Sequence, residues 1–141
     1  MPTSVTRRIV SAEAALRAVE AAVAKGRERG VRVVAAAVDI SGDLVACLRA
    51  DGAFAASITI ARDKAYTAAV FGASTDDLSN ALKGNPVLHH GIAIRPGVVL
   101  FGGGLPIVED GATIGAIGVS GGSEDDDRAC AGAGVAAALE G

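Results

Sequence analysis

Apolar residues recur every three or four positions in three stretches of this chain, the spacing that gives a helix one apolar face. The first stretch follows Ser11, a suitable N-cap residue, and ends at Gly30, which suits the position just after a helix. The second is "FAASITIARDKAYTAAVFG", which ends at Gly72. The third begins at Ser123 and continues to Leu139. The pattern therefore predicts main helices at the start, in the middle and at the end of the chain.

Short runs of β-branched and other apolar residues lie between these helices and have the composition of strands. The runs "VRVVAAAVDI" and "DLVACLRA" are joined by Ser41-Gly42, and the runs "LPIVED" and "ATIGAIGVS" are joined by Asp110-Gly111. Both dipeptides are typical of hairpin turns. A further strand is predicted at "GVVLF". Because strands joined by tight turns pair side by side, these runs predict an antiparallel sheet.

The segment between the middle helix and the later strands is predicted as a short helix followed by a long loop. Ser74 or Thr75 is placed to cap a helix over "DDLSNALKG". The two prolines of "NPVLHHGIAIRPG" indicate an irregular segment with at most one short strand. No repeat or linker divides the chain. The sequence therefore predicts one domain over residues 1–141, an α+β fold with helices packed on an antiparallel sheet.

The composition indicates a core of small side chains. Apolar residues make up 50% of the chain but aromatic residues only 3%, so Ala, Val, Ile and Leu must fill the interior, with 19 glycines allowing backbones to approach closely. The mean hydropathy of +0.42 is high for a small monomer. Apolar surface that the core does not use usually contacts a partner, so we expect a homo-oligomer.

Charge and cysteine spacing exclude several classes of function. The net charge is −3, and basic residues form no stripe with aromatics, which argues against nucleic-acid binding. No apolar run reaches the roughly 18 residues of a membrane helix, and charged residues interrupt the N-terminal segment where a signal peptide would be apolar. We therefore expect a cytoplasmic protein. Cys47 and Cys130 lack a ligand-type spacing and are predicted as small buried residues.

A glycine turn followed by acids, "GVSGGSEDDD", precedes the last helix. Its glycine spacing does not match a dinucleotide-binding turn, and no lysine follows, as a phosphate-binding loop would require. A helix start attracts anions, but the carboxylates of Glu124–Asp127 would repel a phosphate there. The conservative interpretation is that Ser123 caps the helix and the acids complement its dipole. Capping needs fewer acids than this, which leaves one for accepting a proton or anchoring a basic group.

The sequence resembles the GlcG/HbpS family, also described as PduO C-terminal-like or haem-degrading domains. The segments that carry the resemblance are "GGGLPIVEDGATIGAIGVSGG" with "DDDRACAGAG", the hairpin "VVAAAVDISGDLVACLRADGA" and the helix "ARDKAYTAAVFGAST". They extend from about Ser11 to Gly134, in the family's order. The segment "HHGIAIRPG" departs from the haem-binding members.

The resemblance implies a profilin-like fold, with a central antiparallel sheet between helices, and assembly into homo-oligomers. It implies haem binding or a link to small-molecule catabolism. Asp127 matches an acidic position of the family and Lys64 a position of its central helix. The glycine turn carried over from the family consists of Ser120, Gly121 and Gly122.

The only histidines, His89 and His90, are adjacent in the irregular segment. They are interpreted either as surface residues or as functional ones, and neighbours in an extended segment point opposite ways, so at most one enters a given pocket. An imidazole near Asp127 or Lys64 would be a proton shuttle at neutral pH, and one above a haem would be an axial ligand. The propionates of a haem would require cations, for which the candidates are Arg62, Lys64 and Arg95.

These residues lead to more than one functional hypothesis. The first is a small-ligand-binding protein whose pocket is formed by the Ser120–Gly122 turn, Lys64 and the histidine segment, near a subunit interface. Its ligand would be haem or an acidic metabolite, whose carboxylate Lys64 would hold. The second is an isomerase, hydratase or lyase acting on a small acidic metabolite, with catalytic residues among His89, His90 and Asp127. The third is a non-catalytic accessory subunit without a ligand.

Overall fold

Helices occupy both ends and the middle of the chain, and the strands form two hairpins between them. The computed structural model describes residues 1–141. The helices are α1 (Ala12–Glu28), α2 (Ala56–Phe71), α3 (Thr75–Leu82), α4 (Pro86–Ala93) and α5 (Glu124–Ala138). The strands are β1 (Val34–Asp39), β2 (Leu44–Arg49), β3 (Gly104–Glu109) and β4 (Ala112–Ser120).

The four strands form one sheet in the order β2-β1-β4-β3, and every neighbouring pair is antiparallel. The two predicted hairpin turns are confirmed. Gly42, with φ 84°, lies in the first, and Asp110 and Gly111, with φ 50° and 78°, form the second. Two successive residues with positive φ give the backbone twist that antiparallel strands favour in a hairpin. The end of β4 pairs with the start of β1, Ser120 opposite Val34.

The two faces of the sheet are covered by different helices. Along β1, Ala35 and Ala37 belong to the main core with α1 and α5, whereas Val34, Ala36 and Val38 pack towards α2. Alternate residues of a strand point to opposite faces, so this division places the sheet between two helical layers. The predicted α+β fold with an antiparallel sheet flanked by helices is confirmed.

Helix α2 lies very close to the sheet because glycines face it. A Cβ at Gly118 would collide with the carbonyl oxygen of Ala61, and a Cβ at Gly104 would lie 2.6 Å from the carbonyl oxygen of Lys64. Gly104 and Gly118 are directly opposite each other on β3 and β4. This pair of glycines therefore forms the shallow part of the sheet on which the middle of α2 rests.

The predicted helix caps are confirmed by their hydrogen bonds. The side chains of Ser11, Ser74 and Ser123 accept from the backbone N–H groups of the first turns of α1, α3 and α5. Gly72 ends α2 in the left-handed conformation, as expected for a glycine after a helix. None of the helices combines the length and the apolar character that a membrane span requires.

Two predictions about the middle segment are wrong. Residues 86–93 form helix α4, because Pro86 occupies its first position, where a proline fits, and Asn85 caps it. The run "GVVLF" is not a strand, since the N–H of Val99 donates to the hydroxyl of Thr67 instead of to a neighbouring strand. A proline at a helix start is thus compatible with the same local sequence as a loop.

Two apolar side chains are more exposed than their residue type suggests. Leu16, at the helical spacing of Val19 and Val23, is 52% exposed on α1. Cys130 is buried as predicted, whereas Cys47 lies exposed on the edge strand β2. β2 is an outer strand of the sheet, and none of its residues is buried, whereas nearly all of β1 is.

Candidate functional site

A groove of about 410 Å³ opens between α2, the segment before β3 and the turn that leads from β4 to α5. One wall is the first half of α2, and the floor is the glycine turn. Two phenylalanines, Phe54 and Phe101, line it and are 71% and 47% exposed. The remaining lining residues are Ala56, Ser57, Ile60, Lys64, Ser120, Gly121, Gly122, Glu124 and Asp127.

A buried ion pair lies at the base of this groove. The side chain of Lys64 on α2 is 1% exposed and that of Asp127 on α5 is 6% exposed, and their Nζ and Oδ2 atoms are 3.1 Å apart. Nζ also donates to the carbonyl oxygen of Val119, at 2.8 Å, and lies 5.0 Å from the ring centre of Phe101. The other oxygen of Asp127 accepts from the backbone N–H of Gly122, at 3.0 Å. The pair therefore connects both helices to the end of β4.

Glycines make room for the lysine. In Gly103, which has φ 120°, a Cβ would lie 2.8 Å from Nζ of Lys64 and 3.0 Å from Cβ of Asp127. A side chain at Gly103 would therefore displace the ion pair, and its φ lies in the range that favours glycine. Gly103, just before β3, thus leaves room for a long cationic side chain to cross the interface between α2 and α5.

Burial sets the electrostatics of the pair. Desolvation lowers the pKa of Lys64, and the nearby Asp127 carboxylate partly opposes this. Desolvation also raises the pKa of Asp127, and the Lys64 ammonium partly opposes that shift. Each charge is therefore tolerated because the other is present. The ammonium group of Lys64 donates one hydrogen bond to a carbonyl oxygen and one to the carboxylate of Asp127. Lys64 is therefore engaged within the protein as the structural partner of Asp127.

Each of the other acids at the start of α5 has a basic partner. Asp126 completes the capping box with Ser123 and pairs with Arg29 at 2.8 Å. Arg128 binds Glu124, Asp125 and Asp76, and its pair with Asp76 connects α5 to α3. The four acids are thus divided among a cap, a buried lysine and surface arginines. Of the acids that are not used for capping, Asp127 is the one that anchors a buried basic group.

Two hydroxyl groups line the groove beside the ion pair. Ser120 Oγ donates to Ser57 Oγ at 3.2 Å, and both residues are buried. The chain then turns at Gly121, whose φ of 133° favours glycine. The hydroxyl pair gives the groove a polar strip between its aromatic residues and the glycine turn.

A family model described as "Haem degrading protein HbpS-like" matches residues 10–136. The chain belongs to the HbpS-like family. An uncharacterised 15.0 kDa protein from the dhaT-dhaS intergenic region of Citrobacter freundii is 37% identical over 121 residues, with 84% of each chain covered. The resemblance found in the sequence is thereby confirmed.

Solved structures of similar proteins agree with this HbpS-like fold. The Klebsiella pneumoniae protein ORFY has 29% identity and a TM-score of 0.92, covering 99% of this chain and 97% of its own. A PduOC:haem complex has 32% identity and a TM-score of 0.82, covering 92% of this chain and 94% of its own.

The HbpS-like chain brings together only part of the predicted site. Lys64 and Asp127 meet in the groove, and all of the predicted glycine turn, Ser120–Gly122, lines it. His89 and His90 lie on α4, one half-buried and the other exposed, and neither lines the groove. The structure therefore does not place an imidazole beside Lys64 or Asp127, as the first two hypotheses required.

The predicted propionate-binding arginines also lie elsewhere. Arg62 is on the outer side of α2, 3.8 Å from Asp63, and lines a different hollow beside Tyr66. Arg95 is exposed after α4 and lines no hollow. No group of three or more His, Cys, Asp or Glu side chains is arranged to hold a metal ion.

Sequence reasoning missed the aromatic and hydroxyl residues of the groove, which are Phe54, Phe101, Ser57 and Ile60. One signal was available: the chain has only 3 phenylalanines, and Phe101 immediately precedes the triple glycine. No comparable signal marks Ser57, since it becomes important only through its contact with Ser120.

Proposed function

We propose that this protein binds a haem-class tetrapyrrole in the groove beside the start of α5. The observation that carries the proposal is that two exposed phenylalanines, Phe54 and Phe101, line the same groove. The glycine turn, which has no side chains, and several polar groups line the rest of it. Exposed aromatic side chains in a concave site are suited to the face of a flat apolar ring. Membership of the HbpS-like family and the similarity to a PduOC:haem complex support the same ligand class.

The lining residues fit the porphyrin ring better than they fit the iron. Phe54, Ile60 and Phe101 offer apolar contact to the ring. The usual axial ligands of haem iron are His, Cys, Met and Tyr, and the groove contains none of them. When bound, haem would supply iron and redox chemistry. The residues of this chain would bind the ring and exclude water from one of its faces.

No observation supports the second hypothesis, an isomerase, hydratase or lyase that uses acid–base chemistry. Asp127 is engaged by Lys64 and by a backbone N–H, and no imidazole lies in the groove to share a proton with it. A carboxylate metabolite bound directly by Lys64 would have to displace Asp127 from a buried ion pair. Ligand binding without catalysis is therefore the function that this site supports best.

Titration with hemin and with metal-free protoporphyrin IX tests the proposal. We expect saturable binding of both, followed by the Soret band for hemin and by fluorescence for the porphyrin, with dissociation constants within about threefold because the groove lacks an axial ligand. Phe54→Ala and Phe101→Ala should each weaken binding about tenfold. Phe71→Ala is the control, because Phe71 is similarly exposed but lies outside the groove.

The same titration can overturn the proposal. Hemin that fails to saturate, or binding that Phe71→Ala reduces as much as Phe54→Ala does, would remove the groove as the tetrapyrrole site. Binding lost in His89→Ala or His90→Ala but retained in both groove variants would instead assign the ligand to α4.

Self-association and a cytoplasmic location stay predictions from composition and sequence. We expect light scattering to give a mass that is a multiple of 13.9 kDa. A monomer at every concentration would contradict the predicted homo-oligomer. Fractionation of cells producing the untagged protein checks the location.

A further inference from the structure

A second hollow continues the groove on the other side of Phe54. Its volume is about 430 Å³, and it is lined by residues between α1 and β1 and by the turn after β2. Phe54 and Gly121 line both hollows, so the two share a wall and form one surface depression. A ligand longer than the first hollow would therefore extend past Phe54 into the second.

The floor of the second hollow is bare backbone. Gly30 and Gly52 both line it, with φ of 76° and 81°, a conformation that favours glycine. A Cβ at Gly30 would meet nothing within 4 Å, whereas one at Gly52 would lie 2.8 Å from Nη1 of Arg32. The guanidinium of Arg32 thus lies across the backbone of Gly52, at the edge of the open space.

Arg32 is the only charged residue that lines this second hollow, and it has no partner. It forms no ion pair, unlike Arg29 and Arg128, and its side chain donates no hydrogen bond within the protein. Arginine is well suited to carboxylates because its planar group offers two parallel N–H donors. Its donors are therefore free for a ligand.

The two hollows differ in the state of their charged residues. The acids of the first hollow, Glu124 and Asp127, are already paired with Arg128 and Lys64. The second hollow is lined by the unpaired Arg32. A ligand carboxylate would therefore find no free cation beside the two acids and would be attracted to Arg32. The depression therefore has a preferred orientation for an amphipathic acid.

We infer that Arg32 binds the carboxylate of an aromatic ligand whose apolar part lies against Phe54 and Phe101. The inference rests on the proposed function, and for a haem it assigns the propionates to Arg32 in place of Arg62 and Arg95. Gly30 and Gly52 carry no side chain that would stand between the carboxylate and the guanidinium.

Paired acids and esters test this assignment. The probes are hemin, hemin dimethyl ester, 1-pyrenebutyrate and the methyl ester of 1-pyrenebutyrate, read by absorbance or by pyrene fluorescence. Arg32→Gln should weaken binding of both acids about fivefold, the size expected for one partly exposed charged contact, and leave both esters within about twofold. Arg27→Gln is the matched control, since it makes the same charge change at an exposed arginine outside the depression.

The outcomes separate the two proposals. If hemin does not bind but pyrenebutyrate binds in an Arg32-dependent way, haem is excluded and the carboxylate subsite stands. If hemin binds and Arg32→Gln behaves like Arg27→Gln, the subsite is overturned and the tetrapyrrole proposal stands. An equal loss for acid and ester also overturns the subsite, because it indicates a change of shape. No binding by any probe overturns both.

Discussion

The Lys64–Asp127 pair and the His89–His90 helix were predicted to share one pocket, yet the molecule treats them very differently. The ion pair is almost completely buried and is connected to two helices and the sheet. Helix α4 buries none of its residues. Both pairs of residues stand out in the sequence, but only the ion pair is held in place by buried contacts. The two imidazoles lie at the surface.

Removing one partner of the ion pair gives the largest expected effect. Lys64→Met should lower the free energy of unfolding by about 3–5 kcal/mol, because it leaves a buried carboxylate without its cation. Urea unfolding followed by circular dichroism measures the loss. Arg62→Met, two positions along α2 and exposed, is the control and should change stability by less than about 0.5 kcal/mol.

A double variant sharpens this result. Lys64→Met with Asp127→Leu removes both charges, and it should recover a large part of the loss because apolar pairs can replace buried ion pairs. A loss below about 1 kcal/mol in Lys64→Met alone would show that the pair is not buried as described.

The next largest effect on stability is expected at Gly118, where α2, the helix that carries Lys64, packs closely on the sheet. Gly118→Ala should destabilise the protein by about 1–3 kcal/mol, since its Cβ would lie 2.5 Å from the backbone nitrogen of Ala65 and force α2 away from the sheet. Gly132→Ala, on the exposed side of α5, should instead stabilise by about 0.5–1 kcal/mol through helix propensity. The same unfolding measurement compares them, and equal effects would contradict the close packing of α2.

The acid range separates the buried carboxylate from the exposed ones. The hydrogen bond from Arg128 lowers the pKa of Asp76 below its usual 3.8, so its stabilising contribution is present above that pH and is lost as the pH falls through the folded pKa. Asp76→Asn should therefore lose less stability than the wild type between about pH 5 and about pH 3. Urea midpoints at several pH values measure this, with the exposed Asp77→Asn as control.

For Asp127 the sign is opposite. Burial raises its pKa, so the ionised carboxylate opposes folding at neutral pH, and this penalty is relieved as the pH falls through the folded pKa. On acidification the wild type should thus gain stability relative to Asp127→Asn. A loss of stability relative to Asp127→Asn would mean that the carboxylate is stabilised in its charged form.

The smallest effect is expected on α4. His89→Ala and His90→Ala should each change the unfolding free energy by less than about 0.5 kcal/mol, because surface positions contribute little. Each should leave tetrapyrrole binding within about twofold, since neither imidazole lines the groove. Thermal melts and the hemin titration check this. A large loss of binding with unchanged stability would restore the histidines to the site.

Local signals in the sequence determined much of the fold. Ser11, Ser74 and Ser123 cap helices, and Gly42 and Gly111 lie in turns, because these effects act between residues close in sequence. Where local rules conflicted, prediction failed. The prolines around α4 are compatible with a loop and also with a helix start.

Part of the site was also present in the sequence pattern. Asp127 shares its spacing with Cys130, Ala131 and Gly134, all on the buried face of α5, and Lys64 shares the buried face of α2 with Ala61 and Ala68. This periodicity indicates that both charged side chains point inwards. It does not indicate that they meet, since they are 63 positions apart in the chain.

By itself the sequence determined the three main helices, the two hairpins and the antiparallel sheet. Only the tertiary structure decided which distant groups meet: that Lys64 reaches Asp127 past Gly103, and that Phe54, Gly121 and Arg32 border one depression. The physical reason is that caps, turns and periodicity depend on neighbours along the chain. A groove depends on how closely separate elements pack, and here the glycines facing α2 set that distance.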